Sequence, residues 1–356
     1  MMRERHPCFD VSSQATGKTP FIRRISTLLP TLNTAMPVTM PCRRLFLLSS
    51  LSLLLTHCGD EPKKEAGVPY PAAKPAAPAG EPAAASTPTA ATPAKPDLKN
   101  LRWTPEMMHT EIKYHNQAYT GDGQFNIEDG KVVALSLRGA KIDNLKFLQH
   151  IDPLALDVSE TPVSDLRPMQ GKKLVELYLE DTKAQDLSPL RGIPLQKLYL
   201  SRTPVQNLAA LEGMPLTELN AVDCPIGDIS GIARCPIQML WLTGCPVESI
   251  AALKTVPLVS VTLHRTKVKD LTPLSGTALQ RLHIAETPVT DLSPLKGMQL
   301  TRLVFTPANI TAGIEIAKTL PLQEIGTRFD DQGKDLQPPA TFWPAYDAAA
   351  TAPPRP

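Results

Sequence analysis

Eight blocks of this chain recur every 21 residues without insertion, and that period restricts the fold more than any single residue does. The clearest block reads Leu195-Gln196-Lys197-Leu198-Tyr199-Leu200-Ser201-Arg202-Thr203-Pro204-Val205-Gln206-Asn207-Leu208. With Thr203 as the reference slot, the same place is filled by Ala140, Thr161, Thr182, Cys224, Cys245, Thr266 and Thr287. Five residues before the slot stand Leu135, Leu156, Leu177, Leu198, Leu219, Leu240, Val261 and Leu282. Three before it stand Leu137, Val158, Leu179, Leu200, Ala221, Leu242, Leu263 and Ile284. Apolar residues two apart put both side chains on one face of a short strand. One block cannot bury that face alone. Stacking the blocks at about 4.8 Å closes a continuous core, roughly 40 Å long for the whole set.

The second half of each block carries Asp-Leu-Ser-Pro-Leu, at Asp186–Leu190 and Asp291–Leu295, with near-copies at Asp165–Met169 and Asp270–Leu274. Proline there suits a tight bend or a first helical turn and not a mid-sheet strand, so short 3₁₀ turns are expected opposite the strands. Gly171, Gly192, Gly213, Gly276 and Gly297 then close the turn. The reference threonines have hydroxyls placed to bond the backbone of the bend. A period of this length with a Leu-x-x-Leu-x-Leu core is the leucine-rich repeat pattern. The expected fold is therefore an α/β-type leucine-rich repeat solenoid, with parallel strands on the concave face, short turns on the convex face, and a cap at each end. The consensus resembles the short repeats of internalin-like and other bacterial leucine-rich repeat proteins over residues 131–310. That resemblance implies a recognition scaffold without naming what it recognises.

The ends read differently. Arg43 and Arg44 followed by the apolar run Leu45 to Leu55 form a secretory signal over 36–57, too short to span a bilayer as a stable helix. Leu55-Thr56-His57-Cys58 resembles a bacterial lipobox, with His57 where a small residue is expected. The resemblance implies lipidation of Cys58, and so a membrane partner through a lipid anchor in the bacterial envelope, on the periplasmic side of the outer membrane or at the surface. Translation is expected to begin at Met36 or Met40, leaving 1–35 as an upstream artefact. Residues 58–98 are Ala- and Pro-rich, with too little apolar bulk for a core, and are expected to be a disordered tether reaching on the order of 100 Å.

Thr104-Pro105 opens a helix to about Asn116, and a hairpin around Asp129-Gly130 completes an N-terminal cap over 99–131. The repeats occupy 132–310. Ile314, Ala317, Leu320 and Ile325 indicate a helix and a last strand, and Phe342-Trp343-Pro344-Ala345-Tyr346 an aromatic plug, in a C-terminal cap over 311–346. Residues 347–356 are expected to be a disordered tail. This segment resembles the C-terminal parts of some bacterial serine/threonine kinases that carry leucine-rich repeats. None of the kinase motifs occurs in the sequence.

A formal net charge of +2 over 356 residues leaves no basic stripe of the kind nucleic acid requires. Of the six cysteines, Cys224 and Cys245 occupy reference slots of adjacent repeats. They stand close enough for a disulfide, or act as small buried substitutes for threonine, the reading the pattern favours. Cys235 reads as a semi-buried thiol between them. No zinc spacing is present. Asp165, Asp186, Asp228, Asp270 and Asp291 form a ladder with Asn144 and Asn207. Stacked carboxylates are a Ca²⁺ motif in principle, but a slot that also admits Asn and Ser249 suits capping of the following turn. No catalytic constellation, metal site or cofactor motif is expected. His264 and His283 sit at outward offsets with no nucleophile placed beside them.

Residues between the buried leucines point to the concave face. Four before the slot this column holds Tyr178, Tyr199, Trp241 and His283, with Glu180, Arg202, His264 and Arg265 at the strand ends. Exposed Tyr and Trp are typical interface anchors, so these eight residues form the candidate ligand-binding set. A protein is the expected partner. The alternatives are a glycan, since aromatics also stack on sugar rings, or a structural tethering component whose aromatics merely shield the sheet.

Overall fold

The computed structural model describes residues 101–328 and 334–351. The expected signal, the Cys58 lipidation site and the tether lie outside the described residues.

The chain enters through α1 (Pro105–His115), whose N-cap Thr104 accepts the Met107 N–H at 3.3 Å and whose Met108 and Ile112 are fully buried. A two-residue turn, Asp129 and Gly130 at φ 51° and 78°, joins β1 (Gln124–Glu128) to β2 (Lys131–Ser136) as an antiparallel hairpin. Both central residues are left-handed, the geometry that matches the twist of paired strands. From β2 onward every strand pairs in parallel with the next. These are β3 (Ala155–Asp157), β4 (Glu176–Tyr178), β5 (Lys197–Tyr199), β6 (Glu218–Asn220), β7 (Met239–Trp241), β8 (Ser260–Thr262), β9 (Arg281–His283), β10 (Arg302–Val304) and β11 (Glu324–Gly326). Together they form one 11-stranded sheet in chain order.

The register is the repeat itself. Leu135 pairs with Leu156, Leu156 with Leu177, Leu177 with Leu198, and so on to Leu303 and Ile325, each at most 1% exposed. The chain folds as a leucine-rich repeat solenoid. Its convex side consists of 3₁₀ turns of three to five residues, from Lys146–His150 to Ser293–Leu295. Prolines at Pro168, Pro189, Pro273 and Pro294 sit in the first positions of those turns, where no intrahelical N–H is required.

The far end closes with α2 (Ile314–Thr319), β11 and α3 (Pro339–Thr351). Ile325 and Gln337 exchange backbone hydrogen bonds at 2.9 and 2.8 Å, so the outer edge of β11 is covered at its centre. Phe342 packs edge-on to the buried Phe305, with ring centroids 6.0 Å apart, and seals the last turn of the core. The tail expected from 347 is a correction over its first residues: α3 continues through Thr351, with Lys318 of α2 reaching Asp347 at 2.9 Å, and 352–356 lie outside the described residues.

Candidate recognition face

The threonine slot works as its chemistry requires. Hydroxyls of Thr161, Thr182, Thr266 and Thr287 donate to the carbonyls three residues earlier at 2.6–2.7 Å. Where cysteine replaces threonine the thiol reaches the previous repeat instead: Cys224 Sγ lies 3.1 Å from the Leu200 carbonyl and Cys245 Sγ 3.0 Å from that of Ala221. Cys224, Cys235 and Cys245 are buried free thiols. On the convex side the aspartates bond the turns that follow them. Asp165, Asp186, Asp228, Asp270 and Asp291 each accept the N–H two residues on at 2.7–2.9 Å, as do Asn207 at 2.7 Å and Ser249 at 3.4 Å. Hydrogen bonds from the Arg167 side chain and backbone hold the Asp165 carboxyl down to about 2. Among the described residues no group of three or more His, Cys, Asp or Glu is placed to hold a metal ion.

Tyr178 and Tyr199 pair across β4 and β5, and their rings stack with centroids 4.7 Å apart and planes 16° from parallel. Both are half-buried. Tyr178 Oη donates to Glu176 Oε2 at 3.1 Å and Tyr199 Oη to Glu218 Oε2 at 2.8 Å. Between those glutamates stands Lys197, its Nζ 3.4 Å from Glu176 Oε1 and 3.5 Å from Glu218 Oε1. Two stacked rings therefore have their phenol ends fixed by a carboxylate row. Trp241, also half-buried, is separated from Tyr199 by Asn220, whose Oδ1 accepts from Ser201 Oγ at 2.8 Å. The aromatic column is a stacked pair and an isolated indole.

The strand ends carry an unexpected backbone feature. The residue immediately before each reference slot is left-handed in all eight repeats: Gly139, Glu160, Asp181, Arg202, Asp223, Gly244, Arg265 and Glu286, at φ between 54° and 74°. Six of these are not glycine, although each such position costs an L-residue on the order of 1 kcal/mol. The signal was present in the sequence as two glycines sharing one slot with charged residues. At this row the charges pair along the solenoid. The Arg202 guanidinium engages both oxygens of Asp181, Arg265 lies 3.5 Å from Asp223, and Arg138 spans Glu160 at 2.9 Å and Glu180 at 3.4 Å. Burial pushes the Glu180 carboxyl up despite Arg138.

Both histidines depart from the expectation of exposed side chains. His264 is 4% exposed, and its Nδ1 donates to the Ala285 carbonyl of the next repeat at 2.9 Å. The ring lies over the neighbouring strand and not out in solvent. Burial pushes the His264 imidazole down and that of His283 to about 4, the latter also under Arg302 and Arg281. The eight candidate residues thus separate into Tyr178, Tyr199, Glu180 and Arg202 on β4–β5, Trp241 on β7, and His264, Arg265 and His283 at β8–β9.

No protein-family model and no curated protein matches the chain. Among solved structures the chain is similar to an internalin (inlF) from Listeria monocytogenes, at 19% identity over 67% of this chain and 80% of that one, with a TM-score of 0.48. It is likewise similar to an internalin C2 from the same organism, at 20% identity over 59% of this chain and 93% of that one, with a TM-score of 0.48. Likeness at this level concerns the fold alone.

Proposed function

We propose that this is a non-enzymatic recognition protein of the bacterial envelope or surface, lipid-anchored at Cys58, that binds a protein partner on its concave face. The observation that carries this reading is the Tyr178–Tyr199 stack with both hydroxyls tied to Glu176 and Glu218. Aromatic side chains held in one rotamer before binding lose little entropy on binding, which is what makes them good anchors. Trp241 extends the apolar area of the face, and the paired charges at the strand ends set orientation more than affinity. The anchor rests on the signal and the lipobox-like Leu55–Cys58 sequence.

The test is a pull-down from envelope extract with the full chain beside a Tyr199→Ala/Trp241→Ala variant. A partner held by the first and lost by the second supports the reading. A partner held equally by both puts the contact elsewhere. For the anchor, Cys58→Ser releases the protein from the membrane fraction; continued membrane retention removes the lipid from the proposal.

A further inference from the structure

The first half of the concave face is short of cations. Lys197 is shared by two carboxylates, those of Glu176 and Glu218. Arg138 is shared by Glu160 and Glu180, and Arg202 is held by Asp181. One more carboxylate, Asp157, is 4% exposed; its oxygens are bonded by Ser136 Oγ at 3.2 Å and the Ser159 N–H at 3.0 Å, and the cation acting on it is the same Arg138 that Glu160 and Glu180 already share. Carboxylates buried without matching positive charge are costly, and a cation brought in by a partner lowers that cost.

Two buried oxygens in the same patch make no hydrogen bond. Glu176 is 2% exposed and its Oε1 has only the Lys197 ammonium at 3.4 Å, beyond a short charge-assisted bond. Ser159 is 0% exposed and its Oγ has no partner. Strand register places Ser159 between Arg138 and Glu180, so the 3.4 Å bridge joining those two spans about two strand spacings and passes over it. The covers of this patch are the long, partly exposed side chains of Lys197 and Arg138. The buried groups of the patch are Asp157, Glu176 and the orphan hydroxyl; Tyr178 pairs with Asp157 across β3 and β4, and its Oη donates to Glu176.

We propose that the face over β3–β5 receives a lysine or arginine side chain from an extended segment of the partner protein, which displaces Lys197 or Arg138 and pairs with Glu176 and Asp157 beside the Tyr178 ring. This rests on the recognition reading above and names the chemistry of the partner. The incoming cation gains two carboxylates and the face of Tyr178 turned away from Tyr199, in a water-poor site, and it satisfies Glu176 Oε1 directly. Charge complementarity selects this occupant: a partner presenting carboxylates here meets an uncompensated acidic patch.

The experiment selects a random linear peptide library on the full chain and measures the enriched peptides against variants. Expected are peptides with a recurrent Lys or Arg, whose affinity falls tenfold or more with Asp157→Asn/Glu176→Gln, as for loss of a buried charge partner. Lys197→Met, which removes a competing cation, should strengthen binding. Thermal melting checks that each variant folds, and if the acid variant does not, Lys197→Met alone decides. Enriched peptides without a basic residue, or indifferent to these substitutions, overturn the proposal. If such peptides still lose affinity with Tyr199→Ala/Trp241→Ala, the recognition reading survives and only the cation site falls. A library that yields nothing overturns docking of an extended segment and leaves recognition to the extract experiment.

Discussion

Asn116 Oδ1 accepts the backbone N–H of Asn144 at 3.1 Å and that of Asp143 at 3.0 Å, so one buried side chain 3% exposed joins the helical cap to the first repeat. Its Nδ2 also donates to the carbonyls of Ile112 and Asn144 at 3.3 and 3.2 Å. Asn116→Ala leaves those part-buried amides unpaired. A loss of about 2–3 kcal/mol is expected by urea unfolding. Asn116→Asp keeps one acceptor but turns a carboxylate oxygen on the carbonyls of Ile112 and Asn144, so it should be no milder. A loss under about 1 kcal/mol for Asn116→Ala would show that these bonds contribute little.

The left-handed row predicts an unusual direction for a glycine substitution. Glu286 has φ 55°, and its N–H donates to Thr306 Oγ1 at 2.7 Å, a bond that glycine retains. Glu286→Gly relieves the Cβ strain and should stabilise by about 1 kcal/mol, read as a rise of a few degrees in melting temperature. Thr287→Gly, one residue on, removes the hydroxyl bond to Ile284 and should lower it. A fall in both would refute strain at this row.

Acid stability follows from the histidines. The folded His283 imidazole sits at about 4, below its ordinary 6.5, so the folded state resists a proton that the unfolded chain accepts. Stability from this group is present above 6.5 and is lost as pH falls toward 4, a change of about 3 kcal/mol for a shift of that size. His264 shifts in the same direction. Melting between pH 7 and pH 4.5 should show the decline, and His283→Asn should flatten it. A variant with the same slope as the unsubstituted chain would assign the decline elsewhere.

The three repeat cysteines should be inert while the protein is folded. Burial pushes Cys245 up to about 12 and raises Cys224 and Cys235, so little thiolate forms at neutral pH. Mass-mapped alkylation should label none of these three natively and all of them in denaturant. A Cys224–Cys245 disulfide would instead appear as a pair resistant to labelling until reduced.

Much of this architecture was legible in the sequence because a strict period converts residues 21 apart into spatial neighbours. The leucine rows, the Asp caps and the Thr hydroxyl bonds are contacts within one repeat or with the adjacent copy of the same slot. The cap helix and its Thr104 start were legible for the same reason, being local. The stacking of Tyr178 on Tyr199 follows from one shared column, while the break at Asn220 shows that a column in sequence is not a continuous surface.

What the sequence by itself determined is the solenoid: period, alternation and turn chemistry admit one way of burying the leucines. Only the tertiary structure decided which polar groups of the concave face are covered and how its charges are shared. Arg138 reaches Glu180 across 42 residues and over Ser159, while His264, at the same offset, folds onto the Ala285 carbonyl of the next repeat. These outcomes depend on side-chain length and on the partners each side chain meets in the neighbouring repeats. Composition at a slot does not encode them, since glycine, aspartate, glutamate and arginine all stand in the same left-handed row.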